Sequence, residues 1–177
     1  MGEGRIVSAE TEIREAVSDK GKRYGELDAP YVVVVADCKE ELAGGDRNAD
    51  ALIDAAFGSV VTQVRTLPDG QQEIKDVRIE DGYWGMPSAP RHRNVSGMVL
   101  LPKPHLWDLR EDRWQPLHLR NPWAERPLPS ELLPLPGFTV GADGSIKAAD
   151  GTRLADILGL PAEWPPSDSA RVRMACA

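Results

Sequence analysis

Asp37-Cys38-Lys39 closes a run of four valines and has the form acid-x-lysine. An acid and a lysine two positions apart on a strand have a use in phosphodiester chemistry. The carboxylate of Asp37 would hold a divalent metal, and the Lys39 ammonium would position water or offset phosphate charge. Such a centre needs a second acid aimed at the same ion. Glu12, Glu40, Glu41 and Asp46 are the nearest candidates in the chain. The simpler reading is a core strand that surfaces into a charged loop. The cofactor expectation is therefore none, or Mg²⁺ if Asp37 and Lys39 form a nuclease centre.

A second stretch, Pro68-Asp69 followed by Glu73-Ile74-Lys75, spells the letters of a PD-(D/E)xK nuclease. Its spacing is wrong for one. Only three residues separate Asp69 from Glu73, and Asp69-Gly70 is a hairpin turn signal. His92, His105 and His118 lie 13 residues apart, with no zinc-binding spacing between them. Trp84, Arg91, His92 and Arg93 form one cluster, and Arg120 and Trp123 a second. Guanidinium forks beside aromatic rings suit phosphate, a stacked base or a protein surface. The competing reading is a solvated loop with Trp84 tucked into the core. No phosphate-loop, dinucleotide or serine-hydrolase motif occurs.

The elements that must position these residues sit in a 177-residue chain, 41% hydrophobic and 28% charged. That composition describes a folded domain. No apolar run nears the ~18 residues of a membrane span, and the start carries no apolar signal region, so a cytoplasmic protein without a membrane partner is expected. Two distant cysteines, Cys38 and Cys176, make neither a disulfide framework nor a zinc site. The net charge of −7 is uneven. Residues 1–81 carry net −8 and residues 82–127 net +3, with four of the five tryptophans in the latter. The whole-chain charge opposes non-specific nucleic-acid binding, while the middle segment leaves a basic, aromatic face open.

Residues 9–24 predict an amphipathic helix, with Ile13, Ala16, Val17 and Tyr24 on one face, Ser8 as N-cap and Gly25 as stop. Tyr31 to Ala36 predicts a strand buried on both faces, central in a sheet. Asn48 or Asp50 caps a second helix that Gly58 ends. Residues 59–80 read as a hairpin, 95–101 as a buried strand and 116–122 as a short strand. The proline-rich segment 127–136 wraps the surface. A small hairpin turns on Asp143-Gly144, and a short helix leads to a tail. The fold class is α/β, a mixed sheet flanked by helices. The organisation expected is a core over 1–128, an appendage over 129–164 and a tail over 165–177.

The segment "EIREAVSDKGKRYGELDAPYVVVVAD" resembles the part of restriction-endonuclease-like proteins that follows their catalytic strands. "ALIDAAFGS", "DGYWG", "NVSGMVLL" and "LRNPWAERPL" extend the likeness to a group of uncharacterised bacterial proteins, over residues 10–128. In that alignment "YVVVVADCK" is the strand after the helix, and the acid-bearing strands would lie ahead of Arg5. The resemblance thus implies a non-catalytic binding or interaction module on a nuclease-like α/β core. It takes a protein or nucleic acid through the segment 84–123. A metal-dependent nuclease using Asp37 and Lys39 is the alternative. A subunit of a larger complex, its segment 127–136 laid across a partner, is another.

Overall fold

The computed structural model describes residues 8–25, 27–37, 45–102, 107, 109–110, 115–141 and 145–164. In chain order these form α1 (Ala9–Gly21), β1 (Val32–Asp37), α2 (Gly45–Phe57), β2 (Val60–Thr66) and β3 (Gln72–Arg78). Two short strands follow, β4 (Gly85–Met86) and β5 (Ala89–Pro90). Then come β6 (Gly97–Pro102), β7 (Leu117–Arg120), β8 (Gly137–Val140), β9 (Ile146–Ala149) and α3 (Leu154–Ile157).

Five strands make one mixed sheet in the order β1-β6-β7-β8-β9. β1 runs parallel to β6 and β7 parallel to β8, while β6 to β7 and β8 to β9 are antiparallel. The α/β class with a mixed sheet therefore holds. One expectation is corrected: the hairpin of residues 137–149 is no separate appendage. His118 pairs with Gly137 and Leu119 with Phe138, so β8 and β9 complete the main sheet. Phe138, Val140 and Ile146 pack against the common core, which is why the pair joins it.

That core lies between one sheet face and the helices. Val33, Met98, Leu100 and Leu119 point from the sheet towards Ile13 and Val17 of α1 and Leu52, Ala55, Ala56 and Phe57 of α2. Alternate strand residues face opposite ways, so Val32, Val34, Val99 and Leu101 look out on the other side. The valine run thus lies at the sheet's edge, not in its middle. Val33 is 3% exposed and Val34 58% exposed. Four successive valines satisfy the pattern of a two-sided core strand, but among the described residues α1 and α2 lie on one side only.

The helix ends follow local chemistry. Ser8 precedes α1, and its carbonyl accepts the Thr11 and Glu12 amides. Its hydroxyl bonds the Glu10 carboxylate and Thr11 hydroxyl instead of the backbone. α1 stops at Gly21, earlier than Gly25, where Tyr83 closes in: a Cβ on Gly21 would strike the Tyr83 hydroxyl. α2 begins at Gly45, ahead of the expected caps, and ends where expected. Gly58 there takes φ +99° and donates its amide to Asp54 O at 2.8 Å. That left-handed turn suits glycine, and a Cβ would meet Ile79 O.

β2 and β3 form the predicted hairpin, with Val64 opposite Ile74. It belongs to no larger sheet, and most of its side chains are exposed. Its base is held by Arg78, which bonds Asp54 Oδ1 at 2.7 Å and the Gly58 carbonyl.

Candidate functional site

Asp37 ends β1 and Asp46 lies in α2 by their backbones, but their side chains, and the whole of Lys39, Glu40 and Glu41, lie outside the described residues. Among the described residues, no group of three or more His, Cys, Asp or Glu is placed to hold a metal ion. No described helix is long and apolar enough to cross a membrane.

The Arg, His and Trp segment is drawn into the fold. Trp84 is fully buried, 5.6 Å from Phe57 between ring centroids. Its amide bonds Ala56 O at the end of α2. Trp123 meets the same Phe57 edge-on at 5.7 Å. Asn121 fixes that turn: its side-chain amide donates to Val95 O, and its Oδ1 accepts the Trp123 amide, both at 2.9 Å. Arg91 donates to Glu80 O at 2.9 Å and Gly82 O at 2.7 Å. Arg93 donates to Trp123 O at 2.9 Å, and Arg120 to Ser130 O at 3.3 Å. Arg14, Arg78, Arg110 and Arg126 do likewise to Asp81, Gly58, Pro161 and Leu27 carbonyls. A guanidinium fork satisfies loop carbonyls that no ladder reaches. Each of these contacts is internal, so part of the positive charge of residues 82–127 is already engaged.

His92 stacks on Tyr83 at 4.2 Å, with the rings 9° from parallel. Its φ of +47° is uncommon for a residue with a side chain. Burial, then Arg91 and Lys22, push its pKa below the ordinary histidine value. Burial and the Tyr31 phenol push the Tyr83 hydroxyl up to about 12. His118 sits under residues 135–137, its Nδ1 3.1 Å from Pro136 O. A carbonyl partner places the proton on Nδ1. Burial drives its pKa down, and Arg120 adds to that against the raising effect of the Pro136 and Leu135 backbone. Asp81 goes the other way from its burial. The Arg14 hydrogen bond and the Ser59 amide hold its carboxyl below the usual range although burial alone would raise it.

No protein-family model, curated protein or solved structure matches the chain.

What the folded chain does present is a groove on the sheet face that no helix of the main layer covers. Val32 and Val34 of β1 with Val99 and Leu101 of β6 make its floor. Leu128, Leu132, Leu133 and Leu135 of the proline-rich segment make one wall, and Pro116 and Leu154 close it. Its volume is about 330 Å³. Every lining residue is aliphatic or proline. Leu132, in a 3-10 turn (Ser130–Leu132), is 64% exposed at the rim. The sequence did carry a signal for this surface. "LPSELLPLP" offers four leucines with prolines that prevent a helix, and the even-numbered valines of β1 share one face. Reading the valines as buried on both sides hid it.

Proposed function

We propose that the chain is a binding or interaction module whose working surface is the groove over β1 and β6. The observation that supports this reading is the aliphatic lining beside an exposed Val34. A pocket for a polar metabolite orients its ligand with a few donors, acceptors or charges. The groove offers apolar contact alone, as does the centre of a protein–protein patch. Its occupant is then a set of apolar side chains from a partner polypeptide. The nuclease-like character of the core remains part of this proposal. It is supported by the order of α1, β1 and α2 and by the mixed sheet.

The test is an apolar fluorescent probe such as anilinonaphthalene sulfonate. Saturable binding to the wild type is expected, at least ten-fold weaker in Leu132→Asp. That substitution lies at an exposed rim position, and an unchanged urea midpoint would show the fold intact. Equal binding by both proteins would sink the groove as the working surface. The nuclease alternative has its own test. Titration with Mg²⁺ or Mn²⁺ is expected to give the same heat for wild type and Asp37→Ala, and a metal-binding heat lost in the variant would restore Asp37 as a ligand.

A further inference from the structure

His118 looks out on the groove side of the sheet. It stands opposite Val99 across the β6–β7 pair, and opposed residues share a face; Val99 belongs to the groove floor. The segment 127–136 lies over the ring as a strap. The ring's Nδ1 is 3.1 Å from Pro136 O, which also accepts the His118 amide at 3.1 Å. A Cβ on Gly137 would come within 2.5 Å of Nδ1, so the absence of a side chain there lets the strap rest directly on the imidazole. Nε2 is buried and has no hydrogen-bond partner among the described residues. Two positions along the same face, Arg120 donates to Ser130 O of the strap. Leu128, Leu132, Leu133 and Leu135 of the strap wall the groove, and its Pro134 carbonyl accepts the Thr152 amide at 2.6 Å.

With its proton on Nδ1, the neutral ring suits this geometry. A second proton would go to Nε2. It would create a donor with no acceptor and a charge with no counter-ion, both costly where water is shut out. The described surroundings offer no relief. On the face that His118 shares, β6 presents Gly97, Val99 and Leu101, and β8 presents Gly137 and Thr139. β9 adds Ala149 and Lys147. The strap carries one charged residue, Glu131, which is exposed and accepts from the Ser130 hydroxyl. Asp150 and Arg153 flank the place where Gly151 meets Leu135. Among these described charges Arg120 is the one that acts on the ring, and its sign opposes a second cation. The least costly release is to lift the strap, which wets Nε2 while the β1–β6 and β6–β7 ladders keep their bonds. Four of the strap's ten residues are prolines, which have no N–H to tie it down.

We propose that His118 is an acid-sensitive latch: uptake of a proton at Nε2 releases residues 128–136 from β7 and opens the groove. This rests on the reading of the groove as the working surface and adds its regulation. At neutral pH the strap walls the groove. In acid its leucines swing away, so the apolar surface offered to a partner changes while the sheet stays folded. The sign follows from proton linkage. An opened His118 titrates near 6.5, above the closed ring, which burial holds down. Closure is fully supported above pH 6.5 and loses that support as pH falls from there through the closed value.

The experiment follows amide hydrogen exchange of the full chain by NMR from pH 7.5 to 5, corrected for the intrinsic pH dependence of exchange, together with the His118 imidazole shifts. The amides of His118 and Thr152 donate to the strap's Pro136 and Pro134 carbonyls, and their protection should fall by about ten-fold. The fall should level off as the imidazole takes up its proton. Amides of the β1–β6 ladder should keep their protection. His118→Gln should hold the strap amides flat over the same range, and His92→Gln should leave the fall as in the wild type. Unchanged protection while the imidazole titrates, an equal fall in His118→Gln, or a simultaneous loss along the β1–β6 ladder would each overturn the latch. If the glutamine variant does not fold, the wild-type comparison of strap and ladder amides still decides. The fluorescent probe separates the two levels. A probe that discriminates Leu132→Asp, with protection flat to pH 5, keeps the groove and removes the latch. Strap opening with a probe blind to Leu132→Asp keeps the latch and removes the groove as the working surface.

Discussion

Single residues in this chain show how polar groups are kept out of trouble. His118 is 2% exposed and neutral, its pKa lowered by burial first. His92 is lowered too. In the unfolded chain both would take a proton near pH 6.5. The unfolded state therefore binds more protons as pH falls below that value. Their contribution is full above pH 6.5 and is lost as pH falls from there through the depressed folded values. The urea midpoint should drop between pH 7.5 and 5.5, and His118→Gln should flatten that slope. An equal slope in the variant would show that His118 carries none of it. Trp84 is a plainer case. Truncation to alanine removes a fully buried indole and should cost about 3–5 kcal/mol in urea unfolding. Trp84 shows how the sequence misleads at this scale. A tryptophan beside "RHR" reads equally as a stacking platform or as core, and only the approach of Phe57 decides it. The arginines are alike: their charge is legible, but the carbonyls they reach, up to 99 positions away for Arg126 and Leu27, are not.

At the scale of elements, the local signals served well. Asp69-Gly70 marks the β2–β3 turn, Gly58 ends α2, and the 3.6-residue period finds α1. Each is decided by a few neighbouring residues. What failed was any inference that needed knowledge of distant layers. The valines of β1 are equally compatible with the middle and the edge of a sheet. Their place was settled by strand order, which puts β1 outside β6, and residues 127–136 lay a leucine-lined strap over their outer face. The β2–β3 hairpin shows the same separation of local from global. Its strands find each other, yet Val64 and Ile74 stay 57% and 67% exposed. Val64→Lys and Ile74→Lys should each change stability by less than about 0.5 kcal/mol. A loss above ~1.5 kcal/mol in urea unfolding would show that the arm is packed on something. Arg110 is a contrasting element-scale clamp. It holds Leu160 O, Pro161 O and Asp156 near α3, with Trp107 stacked on Trp164 at 5.3 Å. Arg110→Met should increase the rate of proteolysis within residues 150–164 while leaving cleavage elsewhere unchanged. Equal rates at that segment would show that the clamp is dispensable.

For the whole molecule, one sheet runs from β1 to β9 and ties residues 32–149 into a single unit. Urea unfolding should show one transition, with tryptophan fluorescence and far-ultraviolet dichroism coincident. Two separated transitions would mean that the 137–149 hairpin melts on its own. That sheet also imposes a timetable on the chain as it is made. The partner of Val32 is Gly97, 65 positions later. At roughly 5–20 residues per second of synthesis, the valines wait about 3–13 s before their neighbour strand is even polymerised. During that interval α1 and then α2 are made, and these two helices can shield Val33 and Val35 at best. The stretch "YVVVV" is thus the most aggregation-exposed part of the growing chain, on the same strand whose far edge no described strand pairs.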